Sequence, residues 1–384
     1  DQAVATPVTE GLIAHNNKVD SNDKALVYDS FVTMVLKEVQ EKTGLDPYND
    51  GLTIETTIDS KAQQRLFDIV NTNDYIQYVN DKIQNAVVML DTKTGAVRAV
   101  NGGRKQTTLL GYNRATDNSR STGSTIKPVI DYGPAIEYLN YSTGQTIMDQ
   151  RTTYSNGVEL NNWDFSHKGA MTLRTALVYS RNTTALQTFK AVGETNIKSF
   201  LNNLDIQIKN DGQDYLVESN SIGADISPIK MAAAYATFGN YGTYSKPYTV
   251  TKVTTRDGQV TEFKPEQKQA MKDSTAYMIT DVLKDSFKYG FATQAAIPGL
   301  PTAAKTGSSN YTVEQKRAMG ASDYEDIIPD SWFIGYSTDY TISAWTGYDN
   351  PYEKGGGVDT TEQEYSRLIY YYLMKYMAES SSGD

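Results

Sequence analysis

The fold is decided by a strand that reads Ala86-Val87-Val88-Met89-Leu90, because five consecutive apolar residues predict a central strand buried on both faces. A turn at 91–95 and a second β-rich stretch at 96–100 complete a hairpin. Near the end of the chain, 331–336 and 341–348 form a second hairpin, and the patterns from about 124 to 300 are mainly helical. The sequence therefore predicts a mixed α/β (α+β) fold in which one antiparallel sheet is assembled from distant segments and covered by helices.

Two helices can be placed by their start signals. Ser60, with Gln63 three residues later, forms a capping box that predicts a helix over 61–70. Thr361 and Glu364 predict the start of a C-terminal helix in the same way. This last helix has a tyrosine-rich stripe at three-and-four spacing, which indicates packing against the core rather than a ligand site.

The composition excludes several kinds of site. The chain has 384 residues, a net charge of -10, no cysteine and 2 histidines. An acidic chain without a basic run repels nucleic acid, so we expect no nucleic-acid partner. Thiol chemistry and a multi-histidine metal centre are excluded, and we expect neither a metal nor a cofactor. Because no apolar stretch approaches the roughly 18 residues that a membrane-spanning helix needs, we expect membrane attachment only through a missing N-terminal anchor.

Covalent catalysis in such a chain needs a serine activated by a lysine or a carboxylate. The best candidate is Ser124-Thr125-Ile126-Lys127, followed by Pro128. Residues three apart on a helix share one face, so a helix that begins near Ser124 presents Lys127 to the serine hydroxyl. The helix N-terminus also favours a developing alkoxide, and proline is tolerated in a first turn.

The short motifs around this candidate are individually common. The Ser-x-x-Lys pattern recurs at 21–24 and 227–230. Lys-Thr-Gly occurs at the predicted helix end 42–44, in the turn 93–95 and at 305–307, and only 305–307 lies in a predicted strand beside an aromatic hairpin. The order and the structural setting of the motifs therefore matter more than any one of them.

Taken in order, 124–127, Ser180-Arg181-Asn182 and Lys305-Thr306-Gly307 resemble the three-motif active site of the penicillin-recognising serine acyltransferases. Further stretches resemble the transpeptidase domain of a class A (bifunctional) penicillin-binding protein, and they read Asn113-Arg114-Ala115, Asn162-Trp163-Asp164, Met231-Ala232-Ala233-Ala234-Tyr235 and Trp345-Thr346-Gly347-Tyr348. The resemblance covers roughly residues 50–378. Ser-Arg-Asn in place of the Ser-Asp-Asn of class A β-lactamases favours the biosynthetic branch of the superfamily.

The resemblance implies a fold, a domain organisation and a location. The fold has a five-stranded antiparallel sheet flanked by helices, with a helical subdomain. Residues 1–50 are expected to be a linker remnant and N-terminal strap, 51–82 an interdomain strand and helix, 83–378 the transpeptidase domain, and 379–384 a tail. A glycosyltransferase domain of the same full-length chain precedes this part in the family, and the enzyme works on the extracellular face of the bacterial cytoplasmic membrane.

The resemblance also implies site residues. Catalytic roles fall to Ser124, Lys127, Ser180, Asn182 and Lys305. Substrate binding falls to Thr306, Gly307, Ser308 and Trp163. The expected partners are peptidoglycan stem peptides, which supply a D-Ala-D-Ala donor and an amine acceptor, and β-lactam antibiotics.

In the reaction that the resemblance implies, Ser124 attacks the carbonyl between the two D-alanines while Lys127 takes its proton. Burial and the nearby Lys305 would lower the pKa of Lys127 so that it can act as the base. Ser180 would relay the proton to the leaving amine, and Asn182 would bind the amide of the acyl chain. The result is a D,D-transpeptidase of cell-wall synthesis that β-lactams inhibit.

Alternatives remain open from the sequence. A D,D-carboxypeptidase or a β-lactamase would use the same site and differ in the access of water to the acyl-enzyme. A third hypothesis is a non-catalytic module that has the same fold and binds the cell wall. Trp163 is either a wall of the cleft or a core residue, since tryptophan is commonly buried.

Overall fold

The computed structural model describes residues 24–381. The α-helices are α1 (Lys24–Thr43), α2 (Ser60–Asn71), α3 (Gly133–Leu139), α4 (Leu173–Val178), α5 (Asn182–Val192), α6 (Glu194–Asn203), α7 (Pro228–Gly239), α8 (Asp273–Lys284), α9 (Val313–Ala318) and α10 (Tyr365–Ser381). The strands are β1 (Thr53–Thr56), β2 (Gln84–Asp91), β3 (Val97–Asn101), β4 (Arg120–Ser121), β5 (Thr146–Asp149), β6 (Thr152–Thr153), β7 (Glu159–Leu160), β8 (Gly169–Thr172), β9 (Asp225–Ile226), β10 (Thr243–Ser245), β11 (Val250–Thr254), β12 (Val260–Glu262), β13 (Gln267–Gln269), β14 (Ala303–Ser308), β15 (Asp330–Tyr336) and β16 (Tyr340–Gly347).

The main sheet has five strands in the order β14-β15-β16-β2-β3, and every neighbouring pair is antiparallel. The two predicted hairpins, β2-β3 and β15-β16, meet where β16 pairs with β2, with Ile342 opposite Met89. The edge strand β14 adds to β15, with Lys305 opposite Ile334. The sheet assembled from distant segments is therefore confirmed, as is the mixed α/β fold that was expected.

Each face of the sheet carries its own apolar core, because successive side chains on a strand point to opposite faces. Along β2, Val88 and Leu90 pack towards the helical block α3–α8, whereas Val87 and Met89 pack towards α2 and α10. This explains why β2 is a continuous apolar run rather than an alternating one. The predicted core packing of the stripe on α10 is confirmed, because four of its residues are buried: Tyr365, Ile369, Leu373 and Met377.

Two predicted helix starts are wrong in detail. The N-cap of α2 is Asp59, whose side chain accepts from the N–H groups of Lys61 and Ala62, rather than Ser60. Before α10, each side chain of Asp359 and Glu362 accepts from the backbone N–H of the other residue. The capping box is therefore formed by this pair rather than by Thr361 and Glu364. In both cases the acceptor is a carboxylate, and a charged acceptor binds an N–H group more strongly than a hydroxyl does.

The predicted domain boundaries remain predictions. Helix α1 occupies much of the expected N-terminal strap, and residues 1–23 lie outside the described part of the chain. Helix α10 runs past the expected start of the tail at 379 to Ser381, and 382–384 lie outside the described residues. In the expected connecting segment, β1 pairs with β11 and α2 packs on β3 and α10.

Truncation of Phe333 tests the core that supports β15. Phe333 is 1% exposed, and its ring lies 4.6 Å from that of Tyr370. We expect Phe333→Ala to lower the free energy of unfolding in urea by about 3 to 5 kcal/mol, because it removes apolar contacts and leaves a cavity. Tyr324, which is 96% exposed, is the control, and Tyr324→Ala should change stability by less than about 0.5 kcal/mol. Equal effects of the two variants would contradict this core.

Candidate active site

The Ser124 segment is a tight turn pressed against the edge strand β14. Gly123 has a φ of 49°, and a Cβ there would lie 2.2 Å from the carbonyl oxygen of Ser308. A Cβ on Gly307 would lie 2.7 Å from both Thr122 O and Thr125 N. Only glycine permits this approach, so the backbone of the Lys-Thr-Gly strand lies directly beside the turn that carries Ser124.

The segment is helical, as predicted, but not a regular α-helix. Residues Gly123–Ile126 form a 3-10 turn, Lys127 follows, and Pro128–Tyr132 form a π-helical turn in which Gly133 N–H bonds to Pro128 O. The wider turn begins at Pro128, which has no N–H for the regular bond to Ser124 O. The hydroxyl of Tyr235 from α7 fixes the turn by donating to Thr125 O at 2.6 Å.

Lys127 reaches the second motif. Its Nζ lies within hydrogen-bond distance of three oxygens, at 2.9 Å from Ser180 O, 3.1 Å from Ser180 Oγ and 2.7 Å from Asn182 Oδ1. From the other side, Lys305 Nζ donates to the same Ser180 Oγ at 3.0 Å and to Thr306 O at 2.8 Å. We call Lys127, Ser180, Asn182 and Lys305 the lysine pocket. The structure thus brings four of the five expected catalytic residues into direct contact, with half-buried Ser124 on the turn that leads to Lys127.

Burial decides the charge of this pocket. Lys127 and Lys305 are 0% and 2% exposed. Desolvation, together with the positive charges of Lys305 and Arg181, holds the pKa of Lys127 well below its ordinary value, although Asp131 opposes the shift. Desolvation alone lowers the pKa of Lys305 to about 7. A lysine that is uncharged near neutral pH is able to accept a proton from a serine hydroxyl.

Ser180 holds an unusual backbone conformation in the link between α4 and α5. Its φ is 51°, in the left-handed region that non-glycine residues seldom adopt. Asn182 begins α5, and its Nδ2 donates to Asn161 O at 2.8 Å while its Oδ1 accepts from Lys127. The carboxamide that was expected to bind the acyl chain is therefore engaged by protein groups in this state.

The expected substrate-binding residues lie along the open side of the site. Thr306 and Gly307 are half-buried and Ser308 is exposed, at the end of β14 that adjoins the Ser124 turn. Because β14 is an edge strand of the main sheet, its backbone is open to pairing with an extended ligand.

Trp163 lies at the surface rather than in the core. Its side chain is 55% exposed, its Nε1 donates to Tyr179 O at 2.9 Å, and its ring meets Phe291 edge-on at 5.4 Å. Tyr179 precedes Ser180, so Trp163 borders the second motif. This position agrees with a cleft wall and is inconsistent with the core alternative.

Sequence reasoning missed the acidic side chains that hold the motifs. Asp330 accepts from Ser309 Oγ at 2.7 Å and pairs with Arg120 at 2.9 Å, which ties the end of β14 to the strand that leads to the Ser124 turn. Asp149 accepts a hydrogen bond at 2.9 Å from Nε of Arg181, the middle residue of the second motif. The position of Arg181 between two motif residues could have indicated its role from the sequence. No neighbouring residue pattern indicates Asp149 or Asp330.

Asp131 is a further acid that the sequence did not indicate. It is 0% exposed, and neither carboxyl oxygen has a hydrogen-bond partner in the described part of the chain. Burial raises its pKa well above the ordinary value, and Lys127, one turn earlier, acts against that rise. A neutral carboxylic acid is the form that such a site favours.

Within residues 24–381, the structure contains no cluster of histidine or acidic residues that could hold a metal ion. The same residues include no helix that is both long and apolar enough to cross a membrane.

Comparison with known proteins gives a consistent result. Residues 85–370 match the family model described as the penicillin binding protein transpeptidase domain. The chain is 40% identical over 362 residues to penicillin-binding protein 1A/1B of Bacillus subtilis, covering 93% of this chain and 39% of that protein. It is 37% identical over 395 residues to penicillin-binding protein 1A of Streptococcus pneumoniae, covering 100% of this chain and 54% of that protein. The chain thus spans about half or less of the length of these relatives.

A solved structure shares the fold. PonA1 of Mycobacterium tuberculosis in complex with penicillin V superimposes with a TM-score of 0.77 at 22% identity, covering 92% of this chain and 93% of that chain. At this identity the likeness concerns the fold alone.

The unpaired carboxyl of Asp131 gives a prediction about stability. Since its pKa is raised from 3.8 in the folded protein, the stability that Asp131 contributes is complete below that pH and is lost as the pH rises. We expect Asp131→Asn, which never ionises, to gain stability relative to wild type as the pH rises from about 4 to about 7, by at most about 1.4 kcal/mol per pH unit. Urea unfolding at each pH measures the difference. A variant that instead loses stability with rising pH would indicate an ion pair between Asp131 and Lys127.

Proposed function

The chain belongs to the penicillin-binding protein transpeptidase domain family, and on this premise we propose that it cross-links peptidoglycan stem peptides through an acyl-enzyme on Ser124. One observation carries the proposal: two buried lysines, Lys127 and Lys305, converge on the hydroxyl of Ser180 beside the Ser124 turn. Such a pocket supplies an uncharged amine as the base and a second amine that favours that state.

Acylation begins when Ser124 Oγ attacks the carbonyl carbon between the two terminal D-alanines of the donor. The hydroxyl proton passes to the free amine of Lys127 as the O–C bond forms. The C–N bond then breaks, and the departing D-alanine amine receives a proton through Ser180, which contacts Lys127 at 3.1 Å. In the second half, an acceptor amine attacks the ester carbon and the C–O bond to Ser124 breaks. Ser124 takes up the proton that the amine loses, and the new amide is the cross-link.

The surroundings of Ser124 suit the charges that develop. Backbone N–H groups of Ser124 and Ser308 are proposed as the oxyanion hole, which the contact between Gly123 and the Ser308 backbone supports. The hydroxyls of Thr306 and Ser308, with Lys305 beside them, supply several donors for the terminal carboxylate of the donor. Trp163 is proposed to flank the bound peptide.

The whole protein is proposed to be longer and membrane-bound. Its relatives are about twice the length of this chain or more. A glycosyltransferase domain of the same chain and an N-terminal membrane anchor would place the transpeptidase on the extracellular face of the cytoplasmic membrane, where its substrates are.

Covalent labelling tests the nucleophile. We expect a fluorescent penicillin to add one equivalent to the wild-type chain and none to Ser124→Ala, because the acyl ester forms on that hydroxyl. Lys127→Ala should slow labelling by about 100-fold or more, since no base remains. Intact-mass spectrometry measures both.

The chain offers a matched control in the Ser-x-x-Lys sequence at 227–230. Ser227 and Lys230 also lie one turn apart at a helix start, but Lys230 Nζ donates to Asp205 O at the surface. Ser227→Ala and Lys230→Ala should label like wild type. A label that survives Ser124→Ala ends the proposal, and an adduct lost within minutes rather than hours indicates a hydrolase instead.

The pH dependence of acylation tests the lysine pocket. Acylation should fall in acid because Lys127, whose pKa is held well below its ordinary value, then keeps a proton and cannot take that of Ser124. It should fall again above about pH 7, where Lys305, with a pKa of about 7, loses the charge that attracts the carboxylate. Stopped-flow measurement of the second-order rate constant should give a bell-shaped profile. Lys305→Arg should remove the alkaline limb because a guanidinium stays charged. A flat profile would contradict the assigned base.

A further inference from the structure

The second motif lies in the link between two helices, where Ser180 and Asn182 contact Lys127 and Ser180 also contacts Lys305. Ser180 lies in the three-residue link between α4, which ends at Val178, and α5, which begins at Asn182. Its φ of 51° is the left-handed conformation of a helix C-terminal cap, in which Ser180 N–H donates to Leu177 O at 3.1 Å and Arg181 N–H donates to Ala176 O at 3.0 Å. These backbone bonds fix Ser180 to the end of α4, whereas side-chain contacts fix the residues that follow it.

Asp149, at the end of β5, makes two of these contacts. Its carboxylate is 1% exposed and accepts four hydrogen bonds. Arg181 Nε donates to Oδ2 at 2.9 Å and Thr183 Oγ1 donates to Oδ1 at 2.6 Å, so one carboxylate holds two residues that follow Ser180. The backbone N–H of Lys168 and the side chain of Asn162 supply the other two bonds, at 2.9 and 2.7 Å.

Asn162 connects Asp149 to Asn182 through hydrogen bonds. Because an ionised carboxylate only accepts, Asn162 must turn its Nδ2 towards Asp149. Its Oδ1 is then free to accept from Asn182 N at 2.7 Å and from Thr183 N at 3.2 Å, the first N–H groups of α5. The acid thereby fixes the start of the helix whose first side chain accepts from Lys127.

The carboxylate is suited to this role at neutral pH. Burial raises the pKa of Asp149, but the hydrogen bonds from Thr183, Lys168 and Asn162 and the charge of Arg181 outweigh burial and hold the pKa below its ordinary value. His167 Nδ1 lies 3.8 Å away, and the Arg181 charge is shared with Asp164 at 3.1 Å. The carboxylate is thus an ionised acceptor at neutral pH, surrounded by donors.

We propose that Asp149 is a positioning residue for acylation, which holds Ser180 and Asn182 where they receive Lys127 and Lys305. The inference rests on the proposed function, because acylation is the reaction whose rate reports it. Asp149 does not contact the lysine pocket's amines itself and acts through Arg181, Thr183 and Asn162. Its loss should therefore slow the covalent step and leave the first, non-covalent binding of a β-lactam unchanged.

The test is the Asp149→Asn variant, with a fluorescent penicillin as the probe. Whichever way the amide points, its NH2 group faces two donors, so the motif loses part of its support. We expect the acylation rate constant k2 to fall by roughly 10- to 100-fold, while the dissociation constant of the initial complex stays within about threefold. Glu38→Gln is the matched control, since Glu38 also holds backbone and side-chain donors, of Thr249, and should leave k2 unchanged.

A double-mutant cycle separates positioning from general damage. If Asp149 acts through Ser180, adding Asp149→Asn to the Ser180→Ala variant should lower k2 by no more than about a further threefold. The hydroxyl that Asp149 positions is already absent from that variant. Multiplicative effects in the double variant, or a wild-type k2 in Asp149→Asn, would overturn the inference. A wild-type chain that is never acylated would instead refute the proposed function.

A gentler variant serves if Asp149→Asn does not fold, as judged by its thermal transition. Thr183→Val keeps the shape of the side chain and removes one of the four bonds to Asp149. We expect k2 to fall at least about threefold with unchanged initial binding, and to show the same dependence on Ser180. An unchanged k2 in Thr183→Val would overturn the inference as well.

Discussion

The site depends on the burial of two lysine side chains against one hydroxyl. Lys127 and Lys305 approach Ser180 Oγ from opposite sides, at 3.1 and 3.0 Å, in a region that excludes solvent. Two neighbouring ammonium groups are strongly disfavoured there, so folding itself favours the loss of a proton from the pair. The free energy for this arrangement comes from the two apolar cores on either side of the sheet, which bury far more surface than the pocket does.

Three separate parts of the fold meet at this pocket. The edge strand β14 brings Lys305, the link between α4 and α5 brings Ser180 and Asn182, and the 3-10 turn brings Ser124 and Lys127. Gly123 and Gly307 let the turn and the strand approach within contact of their backbones. The acids Asp149 and Asp330 then fix the link and the strand end through hydrogen bonds, so each motif is supported by groups remote from it in the sequence.

Much of the fold could be predicted because it rests on local periodicity. The apolar run at β2 and the hairpin near the C-terminus indicated the sheet, and the stripe on α10 indicated core packing. The predicted caps at Ser60 and Thr361 were wrong because an acid one or two residues earlier, Asp59 or Asp359, accepts from N–H groups of the first turn instead. The π-helical turn after Lys127 was not foreseen, although Pro128 marked the place where regular helix bonds fail.

By itself, the sequence determined the chemistry that is available, since a chain without cysteine and with 2 histidines must rely on serine, lysine and carboxylates. It also indicated the main strands and several helices, because side-chain periodicity and the hydrogen bonds within a helix are properties of residues close together in the chain. Only the tertiary structure decided which Ser-x-x-Lys and which Lys-Thr-Gly are buried together, that Trp163 is exposed, and that Asp149 and Asp131 are enclosed. Distance and desolvation set the charge of a lysine, and both arise from the packing of segments that are far apart in the chain.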